Sequence, residues 1–200
     1  MFPEIARDDI FRLETERLWL RWPRTADVEA FCLLAGDPEV ATSTARIPHP
    51  YEPSDAEAFI RAARAENGSG SGLCLALTLK RQPNEAIGVI GLHGSAPRAP
   101  AMLGFWLGRP YWGQGLMSEA VGAFVDLAFG LTSIERIVSS VLPSNAASLR
   151  VHEAMGFIHT GRGLFPAPAR GGEVEVEMLE LRRGAIPTTF ASRRPRLKST

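Results

Sequence analysis

RPYWGQGLMSEA, residues 109–120, is the stretch on which the reading of this chain turns. Two glycines, Gly113 and Gly115, stand one residue apart, directly after the apolar run AMLGFWLG (101–108) and directly before a helical pattern. In that pattern, GLMSEAVGAFVDLAFG (115–130), Leu116, Ala120, Ala123, Phe124 and Leu127 cover one broad side, while Glu119 and Asp126 share a narrow polar ridge. A helix of this kind is buried over most of its surface. Its first turn carries backbone N–H groups with no intrahelical acceptor, together with the positive end of the helix dipole. An anion placed there gains several hydrogen bonds without a cationic side chain. Glycine at both positions lets the backbone approach a phosphate closely and adopt positive φ. The turn is not a Walker loop, because no Lys-Ser or Lys-Thr pair follows. It also lacks the third glycine and the downstream ribose acid of a dinucleotide fold. A glycine-bearing turn between strand and helix also occurs without any ligand, so the turn alone leaves phosphate binding open.

A second constellation is NAASLRVHEAMGF, residues 145–157. At 100° per residue, Ala146, Arg150 and Glu153 form a solvent stripe, and Ala147, Val151, Ala154 and Met155 lie on the buried side. Ser148 and His152, one turn apart, fall with the buried set, where polar groups need partners. Either Ser148 bonds back to a carbonyl of the preceding turn and His152 is a satisfied core histidine, or both face a cleft and handle a proton.

Around these two segments the chain reads as α/β. ERLWLRWP (16–23) alternates as a half-buried strand, with Leu18 and Leu20 on one side and Arg17 and Arg21 on the other, and Pro23 stops it. TADVEAFCLLAG (25–36) is helical, with Val28, Phe31 and Leu34 or Ala35 on one face and Gly36 as terminator. SDAE (54–57) opens another helix, capped by Ser54 with Glu57 closing a capping box, and NGSGSG (67–72) reads as a flexible loop. LCLALTLK (73–80), EAIGVIGLHG (85–94) and AMLGFWLG look like an antiparallel meander with a turn at RQPN (81–84) and a Pro/Ala-rich second turn. After the central helix come a strand ERIVSSVL (135–142), the helix of the second constellation, and strands FIHTGR (157–162) and EVEVEMLEL (173–181). Antiparallel strands followed by βαβ connections predict an α/β (α+β) fold with a mixed sheet of about six or seven strands and helices on its faces.

Composition narrows the functional classes. Two hundred residues suit one domain, and no stretch is apolar enough to cross a bilayer, so a soluble, cytoplasmic chain with no membrane partner is expected. Cys32 and Cys74 are too few and too isolated for a disulfide framework or a metal knuckle. The formal net charge of zero removes the simplest argument for a nucleic-acid partner. From Arg182 onward, six basic residues occur with no acid. This basic tail reads as a solvated, poorly ordered terminus in preference to a docking arm for an acidic partner. The row Glu173, Glu175 and Glu177, alternating with Val174, Val176 and Met178, reads as a solvated acidic face.

YWGQGLMSEA and NAASLRVHEAMGF, with TERLWLRWPRTADVEAF at the start, share one precedent. In order, spacing and strand context, residues from about Thr15 to Leu181 resemble the GCN5-related N-acetyltransferases, most closely the ribosomal-protein N-terminal acetyltransferase (RimJ/RimL-like) branch. The resemblance implies residues 1–14 as an extension, 15–183 as the acetyltransferase domain and 184–200 as the tail. It also implies a mostly antiparallel sheet splayed between the family's fourth and fifth strands, where acetyl-CoA enters. The backbone around Trp106 and Leu107 would pair with pantetheine amides. Gly113, Gln114, Gly115, Leu116, Met117 and Ser118 would hold the pyrophosphate, and Asn145 would cap its helix and reach the pantetheine arm. Trp112 and Met117 stand where the family usually has other residues, and the tryptophan, familiar in this branch, costs little, since backbone amides carry the contact. No metal is implied.

Acetyl transfer demands a neutral amine, stabilisation of negative charge on the carbonyl oxygen, and a proton for the departing thiolate. The resemblance puts Ser148 first and His152 second as the acid, with an N–H near Trp106 polarising the thioester. Many relatives write an acid just before the GFW motif, whereas this chain has Met102 near that position. His93, a water chain, or an amine already partly neutral would then serve. The implied function is acetyl transfer to a primary amine, with a protein or peptide amino terminus as one acceptor. Small-molecule amine acetylation and non-catalytic CoA binding are the alternatives. A homodimer is compatible with the sequence. ATSTARIPHPYEPS (41–54) and GLFPAPARGG (163–172) are the loops expected to shape the acceptor pocket.

Overall fold

The computed structural model describes residues 1–94, 99–185 and 196–197. Nine strands form one sheet: β1 (Arg12–Glu14), β2 (Leu18–Arg21), β3 (Gly72–Leu79), β4 (Gln82–His93), β5 (Ala101–Leu107), β6 (Arg136–Val141), β7 (Ile158–Ala167), β8 (Gly172–Arg182) and β9 (Arg196–Leu197). Their order is β7-β8-β6-β5-β4-β3-β2-β1-β9, and every pairing is antiparallel except β5 with β6. Five α-helices accompany it: α1 (Val28–Ala35), α2 (Pro38–Thr42), α3 (Pro53–Ser69), α4 (Leu116–Leu131) and α5 (Ala146–Ala154).

Strand β3 shows why both faces are covered. All eight of its residues are buried. Leu73, Leu75, Leu77 and Leu79 join α4 in the larger core, and Cys74 and Ala76 point the other way, to Phe31 of α1 and Ala56, Ile60 and Ala63 of α3. The small side chains let α1 and α3 sit close on one face, and the leucines fill the space beneath α4 on the other. The expected meander is present as β3–β4–β5. Its Pro/Ala-rich second turn falls on residues 95–98, outside the described residues.

The expected sheet of about six or seven strands is present as β2 to β8, extended by the short β1 and β9, while several local expectations are corrected. Phe2, Ala6, Phe11 and Leu13 are buried in the larger core, and β1 pairs with β2. The third helix begins at Pro53, whose fixed φ and missing N–H suit a first helical position, with Glu52 as N-cap and Asp55 in place of Ser54 and Glu57. The Glu52 N–H donates to the Asp55 carboxylate at 2.9 Å. NGSGSG is half helix: α3 continues to Ser69 and ends on Gly70 at φ 70°. Asn67 is buried, its amide donating to the Cys74 carbonyl at 2.8 Å and accepting from the Cys74 N–H at 2.7 Å, as an adjacent strand would. GLFPAPARGG is not an open loop, since β7 runs through Ala167. On β8, Leu179 and Leu181 face the α4 core, so the acidic row shares their side of the strand and Met178 is exposed. Glu173 and Glu175 are exposed as expected, but Glu177 is mostly covered and accepts from Arg162 Nε at 2.9 Å. The flexible reading of the basic tail lies largely outside the described residues. Arg196 and Leu197 pair with β1.

Candidate active site

The feature that creates a cleft is the short pairing of β5 with β6. These strands run parallel and match only at Ala101–Ile137 and Met102–Val138. One step further, Ser139 Oγ donates to the Leu103 carbonyl at 3.1 Å, closing the seam. Past this point the ladder ends, and Phe105, Trp106 and Leu107 line a cleft of about 740 Å³. A volume of this size suits a small-molecule ligand. The same cleft is lined by Gly113, Gly115, Leu116, Met117 and Ser118 from the turn and first residues of α4, and by Asn145, Ala147, Ser148 and Val151 from α5.

The turn has the backbone shape foreseen for it. Gly113 and Gly115 have φ of 72° and 73°, and Gly115 is the N-cap of α4 in the left-handed region. A Cβ at Gly113 would meet nothing within 4 Å, so glycine is required there by backbone conformation and not by crowding. Trp112 holds the turn against the end of β5, its indole N–H donating to the Leu107 carbonyl at 2.6 Å. That carbonyl is therefore already engaged, and Leu107 is left with its N–H and side chain for a ligand. The Gln114 side chain donates to the Pro110 carbonyl at 3.0 Å, which leaves the contact expected of this residue to its backbone amide.

Helix α5 presents a narrower buried stripe than its sequence pattern suggested. Ala147 and Ala154 are exposed, and Ser148, Leu149, Val151, His152 and Met155 form the inward edge. Asn145 caps the helix, accepting from the Ser148 N–H at 3.0 Å, while its amide donates across the cleft mouth to the Ser43 carbonyl at 3.0 Å. Ser148 reaches the cleft, and His152 does not. His152 is 1% exposed, stacked on Phe105 at 5.1 Å between centroids and edge-on to Phe157 at 4.9 Å. Its Nδ1 lies 2.8 Å from the Ser148 carbonyl, which can only accept, so Nδ1 carries the hydrogen. Nε2 is buried without a hydrogen-bond partner. Burial pulls the imidazole pKa below its ordinary value, and the bond to Ser148 opposes this only in part. His152 is thus a neutral prop beneath Ser148. His93 is likewise absent from the cleft: it ends β4, and its Nδ1 sits 2.7 Å from Glu66 Oε2.

The structure picks out individual residues within the expected 41–54 segment and adds others outside it. Thr42, Ser43 and Thr44, at the end of α2, line the cleft with Glu39, Tyr111 and Arg150. Glu39 pairs with Arg109 at 2.9 Å. The two loops expected to shape a pocket do meet, because Arg170 donates to the carbonyls of Ala41 at 3.2 Å, Thr42 at 2.5 Å and Thr44 at 2.6 Å. None of this was readable from the segment itself, since a carbonyl belongs to every residue.

The fold and cleft have known counterparts. The family profile described as Acetyltransferase (GNAT) domain matches residues 17–158. The chain belongs to the GNAT acetyltransferase family. The acetyltransferase is 30% identical over 170 residues to the uncharacterised N-acetyltransferase p20 of Bacillus licheniformis, covering 84% of this chain and 94% of that protein. Among solved structures it shares its fold with Mycobacterium smegmatis RimJ in complex with CoA-disulfide, at a TM-score of 0.75 and 19% identity over 94% of this chain and 95% of that one. A further counterpart is the microcin C7 self-immunity acetyltransferase MccE in complex with acetyl-CoA and AMP, at a TM-score of 0.72 and 19% identity, covering 84% and 93% of the two chains. The protein is an acetyl-CoA-dependent N-acetyltransferase, and its co-substrate fits the residues present: an open strand edge beside a turn with two positive-φ glycines at a helix N-terminus. Among the described residues there is no metal-ligating group of three or more His, Cys, Asp or Glu side chains, and no helix is long and apolar enough to cross a membrane.

Proposed function

We propose that this acetyltransferase transfers acetyl directly to a primary amine of the α-amino class, with a protein or peptide amino terminus as the acceptor. The observation that carries the direct-transfer reading is convergence: the β5 edge, the glycine turn and the Ser148 side chain line one cleft. Acetyl-CoA supplies the acyl group as a thioester. The turn from Gly113 to Ser118 holds its phosphates on backbone amides, and the free edge of β5 from Phe105 to Leu107 orients the pantetheine arm. Ser148 Oγ delivers the proton that the departing sulfur requires. Asn145 and the neutral His152 fix the helix that presents Ser148, through its N–H and its carbonyl. A covalent acyl-enzyme is disfavoured by the cysteines: Cys74 is fully covered with its thiol pushed up by burial, and Cys32 lies on α1 outside the cleft.

The acceptor class follows from the scarcity of a free base among the described cleft residues, whose one carboxylate, Glu39, is paired with Arg109 at 2.9 Å. Met102 stands where a carboxylate base was sought, and His93 is held by Glu66 away from the cleft. An amine that is already partly neutral needs no strong base. An α-amino group, with a pKa of about 8, meets that condition far better than a lysine side chain at about 10.4. The test is an acceptor panel read by release of CoA thiol: peptides with free amino termini, the same peptides blocked at the terminus but carrying lysine, polyamines and aminoglycosides. Release with free-terminus peptides alone, rising with pH as the α-amine deprotonates, supports the proposal. Release with polyamines or aminoglycosides alone replaces it with the small-molecule reading.

A further inference from the structure

We propose that Arg17 is a positioning residue that sets the phosphate-binding geometry of the glycine turn. This rests on the reading of residues 113–118 as the phosphate cradle. Arg17 precedes β2 and lies 97 residues from the turn in sequence, yet its Nη1 donates to the Gln114 carbonyl at 2.8 Å. In the same side chain, Nε donates to Glu119 Oε2 at 2.7 Å, and the Arg17 backbone N–H donates to Glu119 Oε1 at 2.8 Å. Thr15 Oγ1 completes the anchor with a 2.5 Å hydrogen bond to Glu119 Oε1. One guanidinium thus ties the turn to the first turn of α4 and to the start of β2.

The geometric consequence follows from peptide planarity. In a trans peptide the C=O and the following N–H point to opposite sides. Holding the Gln114 carbonyl on Arg17 therefore turns the Gly115 N–H away from Arg17, towards the cleft that Gly115 lines. Gly115 sits at φ 73°, where glycine has unusual freedom, so an external hold on this peptide fixes a unit that its own residues leave loose. Glu119 poses a separate difficulty, since it places a carboxylate in the first turn of a helix that receives an anion. Arg17 offsets that charge and uses the carboxylate as its own anchor. Burial by itself would push the Glu119 carboxyl up, but the hydrogen bonds from Thr15 and Arg17 outweigh it and hold the group ionised below its ordinary range.

The experiment compares binding of acetyl-CoA and of acetyl-pantetheine, which lacks the phosphates, by calorimetric titration to the full chain and to R17A, R17K and E119Q. A brace predicts that R17A weakens acetyl-CoA about tenfold to thirtyfold, the equivalent of one oriented charged hydrogen bond, and leaves acetyl-pantetheine within about twofold. R17K stays close to R17A, because an ammonium cannot span the Glu119 carboxylate and the Gln114 carbonyl as a planar fork does. E119Q also weakens acetyl-CoA, by about threefold, because Arg17 loses its charged anchor. If Arg17 served only as a positive charge, E119Q would tighten acetyl-CoA and R17K would bind as the unaltered chain does. Either result overturns the proposal, as does an equal loss of both ligands in R17A. Should R17A not fold, R17K and E119Q decide alone. Equal affinity of the unaltered protein for both ligands would instead refute the phosphate cradle itself, a separate outcome.

Discussion

The two ends of the cleft are built from different materials. At the α4 end, the cleft is built mainly from main-chain groups: two positive-φ glycines, the N-terminus of a 16-residue helix, and a strand edge released from its neighbour. At the α5 end it is built from side chains on one helix, with the Ser148 N–H held by the Asn145 cap and the Ser148 carbonyl held by His152. A backbone site is specified by residues that permit a conformation, so it survives wide changes in neighbouring side chains. A side-chain site is specified by packing, and one neighbour decides it. Substitutions at the first end should therefore act on acetyl-CoA affinity, and substitutions at the second on turnover.

The largest test of this contrast is Ser148→Ala. Turnover should fall by about a hundredfold or more, with acetyl-CoA affinity unchanged, in rapid kinetics set beside calorimetry. Turnover within a fewfold of the starting protein would remove Ser148 as the acid. Next is Gly115→Val, where a β-branched side chain at φ 73° is strained by about 1–3 kcal/mol. Acetyl-CoA affinity should drop about thirtyfold or more, with turnover at saturating co-substrate affected much less. Arg170→Ala, which frees the carbonyls of Ala41, Thr42 and Thr44, should raise the KM for the acceptor about threefold to tenfold and leave acetyl-CoA binding alone. The smallest expected effect is that of His93→Gln, with kcat/KM within about twofold, because the imidazole pairs with Glu66 outside the cleft. A collapse of activity in that variant would place a base where the geometry puts none.

His152 sharpens the contrast through pH. Burial lowers its pKa in the folded chain, so the unfolded state binds the proton more readily. Its contribution to stability is present above the unfolded value near 6.5 and is lost as pH falls below that value towards the folded one. The denaturation midpoint should therefore decline from pH 7 to pH 5, and less steeply in His152→Phe, whose ring keeps the contacts with Phe105 and Phe157. An unchanged slope in the variant would assign the acid sensitivity to other groups.

Much of this molecule was readable in one dimension. The meander, the buried central helix and the glycine turn follow from alternation, helical periodicity and the backbone freedom of glycine, all local properties. What was not readable has a shared cause. NGSGSG looked like a loop because Asn67 is usually a turn residue, and only β3 passing beside it makes Asn67 a surrogate strand partner for Cys74. For His152, helical spacing left open a core or a cleft-facing position, because it assigns a direction but not a neighbour, and Phe105 with Phe157 covers it.

The sequence by itself determined an α/β chain with a glycine turn at a helix start, a serine and histidine one turn apart, and a likeness to GNAT acetyltransferases. Tertiary structure alone decided that β5 and β6 part after Met102, that Ser148 reaches the cleft and His152 does not, and that Arg17 grips a turn 97 residues away. The division has a physical reason. Backbone conformation and periodicity are set by residues within a few positions of one another, whereas a hydrogen bond between distant residues exists only once the packed core has brought its two ends together.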